Sequence, residues 1–389
     1  MKTVGMSVIY LALSGAILGA VPEFEHHYIA QDPTWDHRVM RSVLVDIDKD
    51  GDLDWTAGNC RWTQNPNFYW YEYKTPGKWV EHLIDEGTWL QGSGTCALDV
   101  NGDGQPDLVT SKFLFVNRSK DSQWEKHEIG ISDGRSHDFQ AVDINGDRRI
   151  DILSNSQDEG LCWYEAGKNP NKPWTRHDIG GKRYKVHGCG SPEGAADLDG
   201  DGDIDVAAAL AWFENADGKA LQWKKHDHNL IGRKDKFGIA VMTVCRDIDA
   251  DGDIDIVQSE GDHPDARLGW LENTDGKGKF SIHWIKNSGS GQDFHTLQVI
   301  DYDNDGDLDV FTGGGAISKA EVKHTYLFEH IKPVAGKLPK WKEHIILSGP
   351  ECHGGIAGDV DADGDIDIIV RGYNRGPFIY LENKHEDNI

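Results

Sequence analysis

The chain has 389 residues, with 66 Asp and Glu against 40 Lys and Arg, a formal charge of −26 and a hydrophobic share of 38%. That balance excludes a nucleic-acid partner, because neutralising phosphates needs a basic face. Beyond the first 20 residues no apolar run reaches the length that crosses a membrane, so no membrane span is expected.

In chain order, residues 1–20 read as a secretory signal peptide: Lys2, then an apolar run, then small residues ending near Ala20. The mature part, 21–389, is expected as one domain, secreted or periplasmic. No Cys follows the apolar run, so a lipoprotein anchor is not expected.

An acidic loop then recurs seven times. Five copies read Asp-x-Asp-x-Asp-Gly-Asp-x-Asp, beginning at Asp46, Asp197, Asp247, Asp301 and Asp359. Two looser copies begin at Asp99 (DVNGDGQPD) and Asp143 (DINGDRRID). Oxygen ligands at alternate positions of a tight loop suit Ca²⁺, which accepts six to eight of them. Positions one, three, five and nine give the candidate ligands. They are Asp46, Asp48, Asp50 and Asp54 in the first loop, and Asp99, Asn101, Asp103 and Asp107 in the second. Asp143, Asn145, Asp147 and Asp151 follow in the third, then Asp197, Asp199, Asp201 and Asp205 in the fourth. The last three sets are Asp247, Asp249, Asp251 and Asp255; Asp301, Asp303, Asp305 and Asp309; and Asp359, Asp361, Asp363 and Asp367. The ninth-position Asp is expected to close the cage. In the third loop Arg148 replaces the turn Gly and Arg149 adds positive charge, which leaves Ca²⁺ there open; so does Pro106 in the second loop.

Around each loop the same text recurs. A short apolar strand precedes it (FQAVD, 139–143) and a second follows it (IDIVQS, 254–259). A third carries aromatics (LAWFEN, 210–215), and a fourth reads aromatic-x-x-His-x-apolar (WTRHDI, 174–179). Four short strands per repeat, separated by Gly- and Asp-rich turns, predict an all-β, seven-bladed β-propeller of four-stranded antiparallel blades. FEHHYI (24–29) has the fourth-strand pattern but precedes the first repeat, and the last repeat stops after its third strand. The N-terminal strand is therefore expected to complete the last blade.

Six Cys occupy positions 60, 96, 162, 189, 245 and 352, with no CxxC metal spacing. Cys60–Cys96 and Cys162–Cys189 are candidate bridges between blades, and Cys245 and Cys352 are candidates for free, buried thiols.

These motifs resemble the FG-GAP (VCBS) repeat family, whose Ca²⁺-loop blades form the integrin-type seven-bladed propeller. The resemblance spans residues 24–383. The family includes adhesins, lectins and the propeller domains of sugar lyases and of an aldos-2-ulose dehydratase. The resemblance implies that the acidic loops join first to second strands on one face, and that the fourth-strand His are outer-strand packing.

Internal repetition separates scaffold from site. Seven His recur at the fourth-strand position, from His27 to His344, and are assigned to the scaffold. Unrepeated His lie in the linkers that enter the inner strands, on the face opposite the acidic loops. They are His137, His187, His295 and His353. Three of them, His137, His295 and His353, stand six residues before their loop's first Asp, which predicts equal height near the axis. Glu193 is the nearest candidate carboxylate partner. Arg41, Arg61, Trp62, Arg371 and Tyr373 are candidate substrate contacts, the Arg for an anion and the aromatics for a sugar ring. Convergent imidazoles suit general acid–base chemistry or a transition metal such as Zn²⁺.

Three functions compete: an eliminating carbohydrate-active enzyme (lyase or dehydratase type) with a central funnel, a lectin-like or other binding module, and an adhesin. A lectin with one site per blade repeats its binding residues, and here the unusual residues differ between blades. The enzyme reading is preferred on that ground, with a carbohydrate ligand, anionic if the Arg contact it, and a monomeric protein.

Overall fold

The computed structural model describes residues 22–30, 42–58, 67–86, 94–110, 112–118, 123–131, 136–156, 160–181, 192–232, 241–287, 289–332, 338–374 and 376–384. The candidate signal peptide lies outside them.

Alternating aromatic and β-branched residues make strands, and no helix occurs among the described residues. The strands form seven sheets, each antiparallel through its four main strands, in the order inner, second, third, outer. Blade 1 runs Leu44–Val45, Asp54–Gly58, Asn67–Thr75 and Lys78–Glu86. Blade 6 runs Phe294–Ile300, Asp309–Gly314, Lys323–Ile331 and Lys340–Gly349. In blade 7, Ile356–Gly358, Asp367–Val370 and Phe378–Asn383 are completed by Phe24–Ala30 from the N-terminus, with Phe24 opposite Asn383 and His27 opposite Tyr380. The expected seven-bladed propeller and its closure by the N-terminal strand are both present. One departure is Pro192–Glu193, which adds a parallel fifth strand inside blade 5.

The core is divided into seven apolar clusters, one at each interface between adjacent blades. Trp55, Tyr71 and Tyr73 of blade 1 pack on Phe378 and Tyr380 of blade 7, so the cluster that closes the ring is built like the other six. Trp55, Trp70, Trp163 and Trp270 are essentially inaccessible. Each such ring removes some 150–250 Å² from water, an upper-bound gain of roughly 4–6 kcal/mol.

Polar clamps cross the same interfaces. The Asn that ends a third strand donates its Nδ2 to a loop carbonyl of the preceding blade: Asn117 to Ile47 at 2.9 Å, Asn273 to Leu198 at 3.0 Å, Asn383 to Tyr302 at 2.9 Å. The repeated fourth-strand His do serve the blades. His82, His177 and His226 stack on the third-strand Trp70, Trp163 and Trp212 at 4.2–4.3 Å. Their Nε2 atoms meet the third-strand Glu72, Glu165 and Glu214 at 2.6–3.0 Å. In blade 2 the third strand offers neither Trp nor Glu there, and His127 turns to Glu125 on its own strand at 3.0 Å.

Cys245 and Cys352 are buried free thiols, as expected. Burial pushes Cys352 up to about 11. Cys96 is also a buried free thiol, so the expected Cys60–Cys96 bridge is not formed; Cys60 and Cys189 lie outside the described residues.

Candidate functional site

Each acidic loop joins an inner strand to a second strand. Its turn is left-handed at two positions. Position six is Gly in six loops, such as Gly51 (φ 109°), and position four takes a left-handed φ even at Ala250 (59°) and Ala362 (58°). That geometry turns the carboxylates of positions one, three and five inward. In blade 1, Asp46, Asp48 and Asp50 each bring an oxygen to within 4.8 Å of the others, as do Asp247, Asp249 and Asp251 in blade 5. In blades 4 and 6 the group is made by positions one, three and nine: Asp197, Asp199 and Asp205, and Asp301, Asp303 and Asp309.

The ninth-position Asp has a second role that spacing did not reveal. Asp54 accepts from Ile47 N at 2.9 Å and from Tyr73 N at 3.1 Å, stapling loop, second strand and third strand together. Asp107, Asp205, Asp255, Asp309 and Asp367 repeat the pattern. Burial, the first cause in every case, pushes Asp54, Asp309 and Asp367 up to about 8, and Asp151, Asp205 and Asp255 to about 7.

The loops fit a hard dication on two counts. The donors are all oxygen, and Asp249 Oδ1, Asp359 Oδ1 and Asp361 Oδ1 are buried with no hydrogen-bond partner. Burial and then the neighbouring Asp363 charge push Asp361 up to about 6.

On the opposite face the chain brings some of the unrepeated residues together. His295 sits in the inner strand of blade 6 at a β-bulge, between Phe294 and Thr296; His137 holds the same place in blade 3, between Ser136 and Asp138. Equal offset from the loop thus gave equal backbone position for these two, whereas His353 lies in the bend before its inner strand Ile356–Gly358; bulges of this kind re-aim side chains. The side chain of His137 lies outside the description, as do His187, Arg41, Arg61 and Trp62 entirely.

The His295 and His353 rings stack at 3.7 Å between centroids, with 17° between planes, and Tyr373 lies 4.9 Å from His353. His295 Nδ1 bonds the His353 carbonyl at 3.1 Å, and its Nε2 is 3.9 Å from Asp262 on blade 5. His353 N donates to the Arg371 carbonyl at 2.9 Å. His295 is 3% exposed, because the blade 5 loop around Gly261 and Asp262 covers it. One expectation changes here. Rings stacked face to face do not aim their nitrogens at one point, so this pair does not fit a transition-metal chelate.

The cavity on the axis, about 290 Å³, is lined from six blades and lies beside this cluster rather than on it. Its wall includes Gln140, Gln298, Gly354 and, as its charged members, Glu193 and Arg371. Arg371 is buried, and its guanidinium packs on Gly354, where any side chain would collide with it. Among the described residues Glu193 meets no His; it pairs with Arg246.

Sequence reasoning missed Asp293. Fully buried, it accepts from Ser318 Oγ, Gly315 N and Ile317 N, while its carbonyl takes the His295 N–H at 3.0 Å. Burial pushes it up to about 6. It precedes His295 by two residues, and nothing in that spacing marks it.

The FG-GAP-like repeat family matches residues 114–208 and 247–312. No curated protein matches the chain. Among solved structures, the Vibrio cholerae biofilm matrix protein Bap1 is similar over 94% of this chain and 84% of its own, at 12% identity and a TM-score of 0.40. The six-bladed fucose-recognising lectin of Aleuria aurantia is similar over 83% of this chain and 98% of its own, at 11% identity and a TM-score of 0.41.

Proposed function

The chain belongs to the FG-GAP-repeat family of seven-bladed propellers, and we propose that it is an exported, calcium-stabilised propeller that binds an acidic carbohydrate in its axial cavity. One observation carries the reading. A buried guanidinium, Arg371, lines a cavity near the lower end of the size range of small-molecule sites, and that residue is not part of the repeat. The guanidinium fork matches a carboxylate, while Gln140 and Gln298 supply amide groups at the wall. Beside the cavity the Tyr373 ring gives an aromatic surface of the kind sugars stack on.

In the acidic loops, the carboxylates of positions one, three and five, with the ninth where it joins them, would hold Ca²⁺. The ion supplies charge neutralisation and a cross-link that ties first to second strands. It has no part in ligand chemistry, since the loops lie on the far face.

Elimination is a second reading with one observation of its own. His353 is half-buried next to Arg371, and its ring is held by stacking on His295. A base there and a guanidinium on the carboxylate are the two groups that proton abstraction beside a carboxylate needs.

The test is calorimetric binding of uronate-containing and neutral oligosaccharides, with ultraviolet absorbance followed for an unsaturated product. Acidic ligands should bind at least about tenfold more tightly than neutral ones, and Arg371→Gln should abolish the difference. Equal affinity for both classes in the wild type would overturn the reading, whatever the variant does.

A further inference from the structure

We propose that the acidic loop of blade 3 carries its own cation: the Arg149 guanidinium takes up the position-five carboxylate that calcium would need, and this blade binds no calcium. The inference rests on the calcium reading above and concerns this chain's own departure from it.

Position seven is Asp in five loops, namely Asp52, Asp203, Asp253, Asp307 and Asp365, and Gln105 in the second. In blade 3 it is Arg149. Its Nε donates to Asp147 Oδ2 at 3.0 Å, its Nη2 reaches the same oxygen, and Nη2 also approaches Glu165 at 3.4 Å. The guanidinium thus engages the position-five carboxylate that would face an ion. Asn145 replaces a carboxylate at position three, so the loop keeps three Asp against two Arg.

The loop has nonetheless kept its shape. Asp143 Oδ1 accepts from Asp147 N at 3.0 Å and Oδ2 from Arg148 N at 2.8 Å. In blade 6, Asp301 makes the same pair with Asp305 N at 3.1 Å and Gly306 N at 3.0 Å. Arg148 takes a left-handed φ of 71° to do so, at the position where the other loops have Gly. A dication placed among these groups would meet two positive side chains and would have to break the Arg149–Asp147 pair. Blade 1 also has a cation at its loop, Lys74 at 3.0 Å from Asp50, but Lys74 comes from the end of the third strand and that loop keeps all five Asp.

The test counts calcium per full-length chain by elemental analysis after dialysis against a weak chelator. Asp143→Asn should leave the count unchanged, whereas Asp301→Asn, the control, should lower it by one ion. The double variant Arg148→Gly, Arg149→Asp should raise it by one. A wild-type chain that loses an ion on Asp143→Asn, or a double variant that gains none while the control responds, overturns the inference and leaves the calcium reading standing. A wild-type chain with no calcium overturns both.

Discussion

Replacing Asn273 by Ala removes the clamp that joins blade 5 to blade 4 together with two hydrogen bonds inside blade 5. Asn273 is 1% exposed and carries no charge, so neither solvent nor calcium obscures the result. Its Nδ2 donates to Leu198 O at 3.0 Å and Ile254 O at 3.2 Å, and its Oδ1 accepts from Gly278 N at 3.1 Å. Three hydrogen bonds, one buried and two partly buried, at about 1 kcal/mol each, with their partners left unsatisfied, predict a loss of about 2–4 kcal/mol. Asn273→Asp should cost at least as much, because a carboxylate oxygen then faces two carbonyls. The assay is urea unfolding in calcium-saturated buffer. A loss under about 0.5 kcal/mol for both variants would refute the claim that these side chains hold neighbouring blades together.

Deleting residues 22–30 should abolish soluble, cooperatively unfolding protein, since it removes the outer strand of blade 7 together with the His27–Glu382 contact at 2.9 Å; a truncated chain with the wild-type melting temperature would count against closure by that strand. His295→Ala should lower stability by about 2–3 kcal/mol, because a buried ring and its stacking partner are lost; an unchanged melting curve would contradict its buried placement. Burial raises the ninth-position Asp to about 6 for Asp107 and about 7 to 8 for the others, above their unfolded values near 4, so the chelated protein binds more protons folded than unfolded in that window. Its stability should therefore be fullest at low pH and fall as pH rises from about 5 to about 8, with calcium flattening the slope; chelated protein that gains stability over that window would show the sign to be wrong.

Much of the fold is legible because it is repeated. The loops, the aromatic third strands and the displaced FEHHYI segment each announce themselves by position, and repetition marks the outer His as scaffold. The partners of those His were less visible. Glu72, Glu165 and Glu214 are plain members of strand patterns until the pairing of third with fourth strand brings them to His82, His177 and His226. Asn273 and Asp255 act on residues of another strand or another blade, which no local pattern encodes. The site was legible only in part. Offset from the loop located His295 and His137 at equivalent bulges, but the burial of His295 depends on a blade 5 loop more than thirty residues earlier in the chain. Glu193 was paired by proximity in sequence, and Arg246 reaches it from an adjacent inner strand.

Hydrogen–deuterium exchange with and without a bound acidic oligosaccharide tests the central claim most directly, because it locates the ligand on the ring. The account predicts protection at the cavity wall, at 139–141, 297–298, 354–356 and 371, with the acidic loops unchanged. Protection spread evenly over seven blades, or confined to the acidic-loop face, would contradict it.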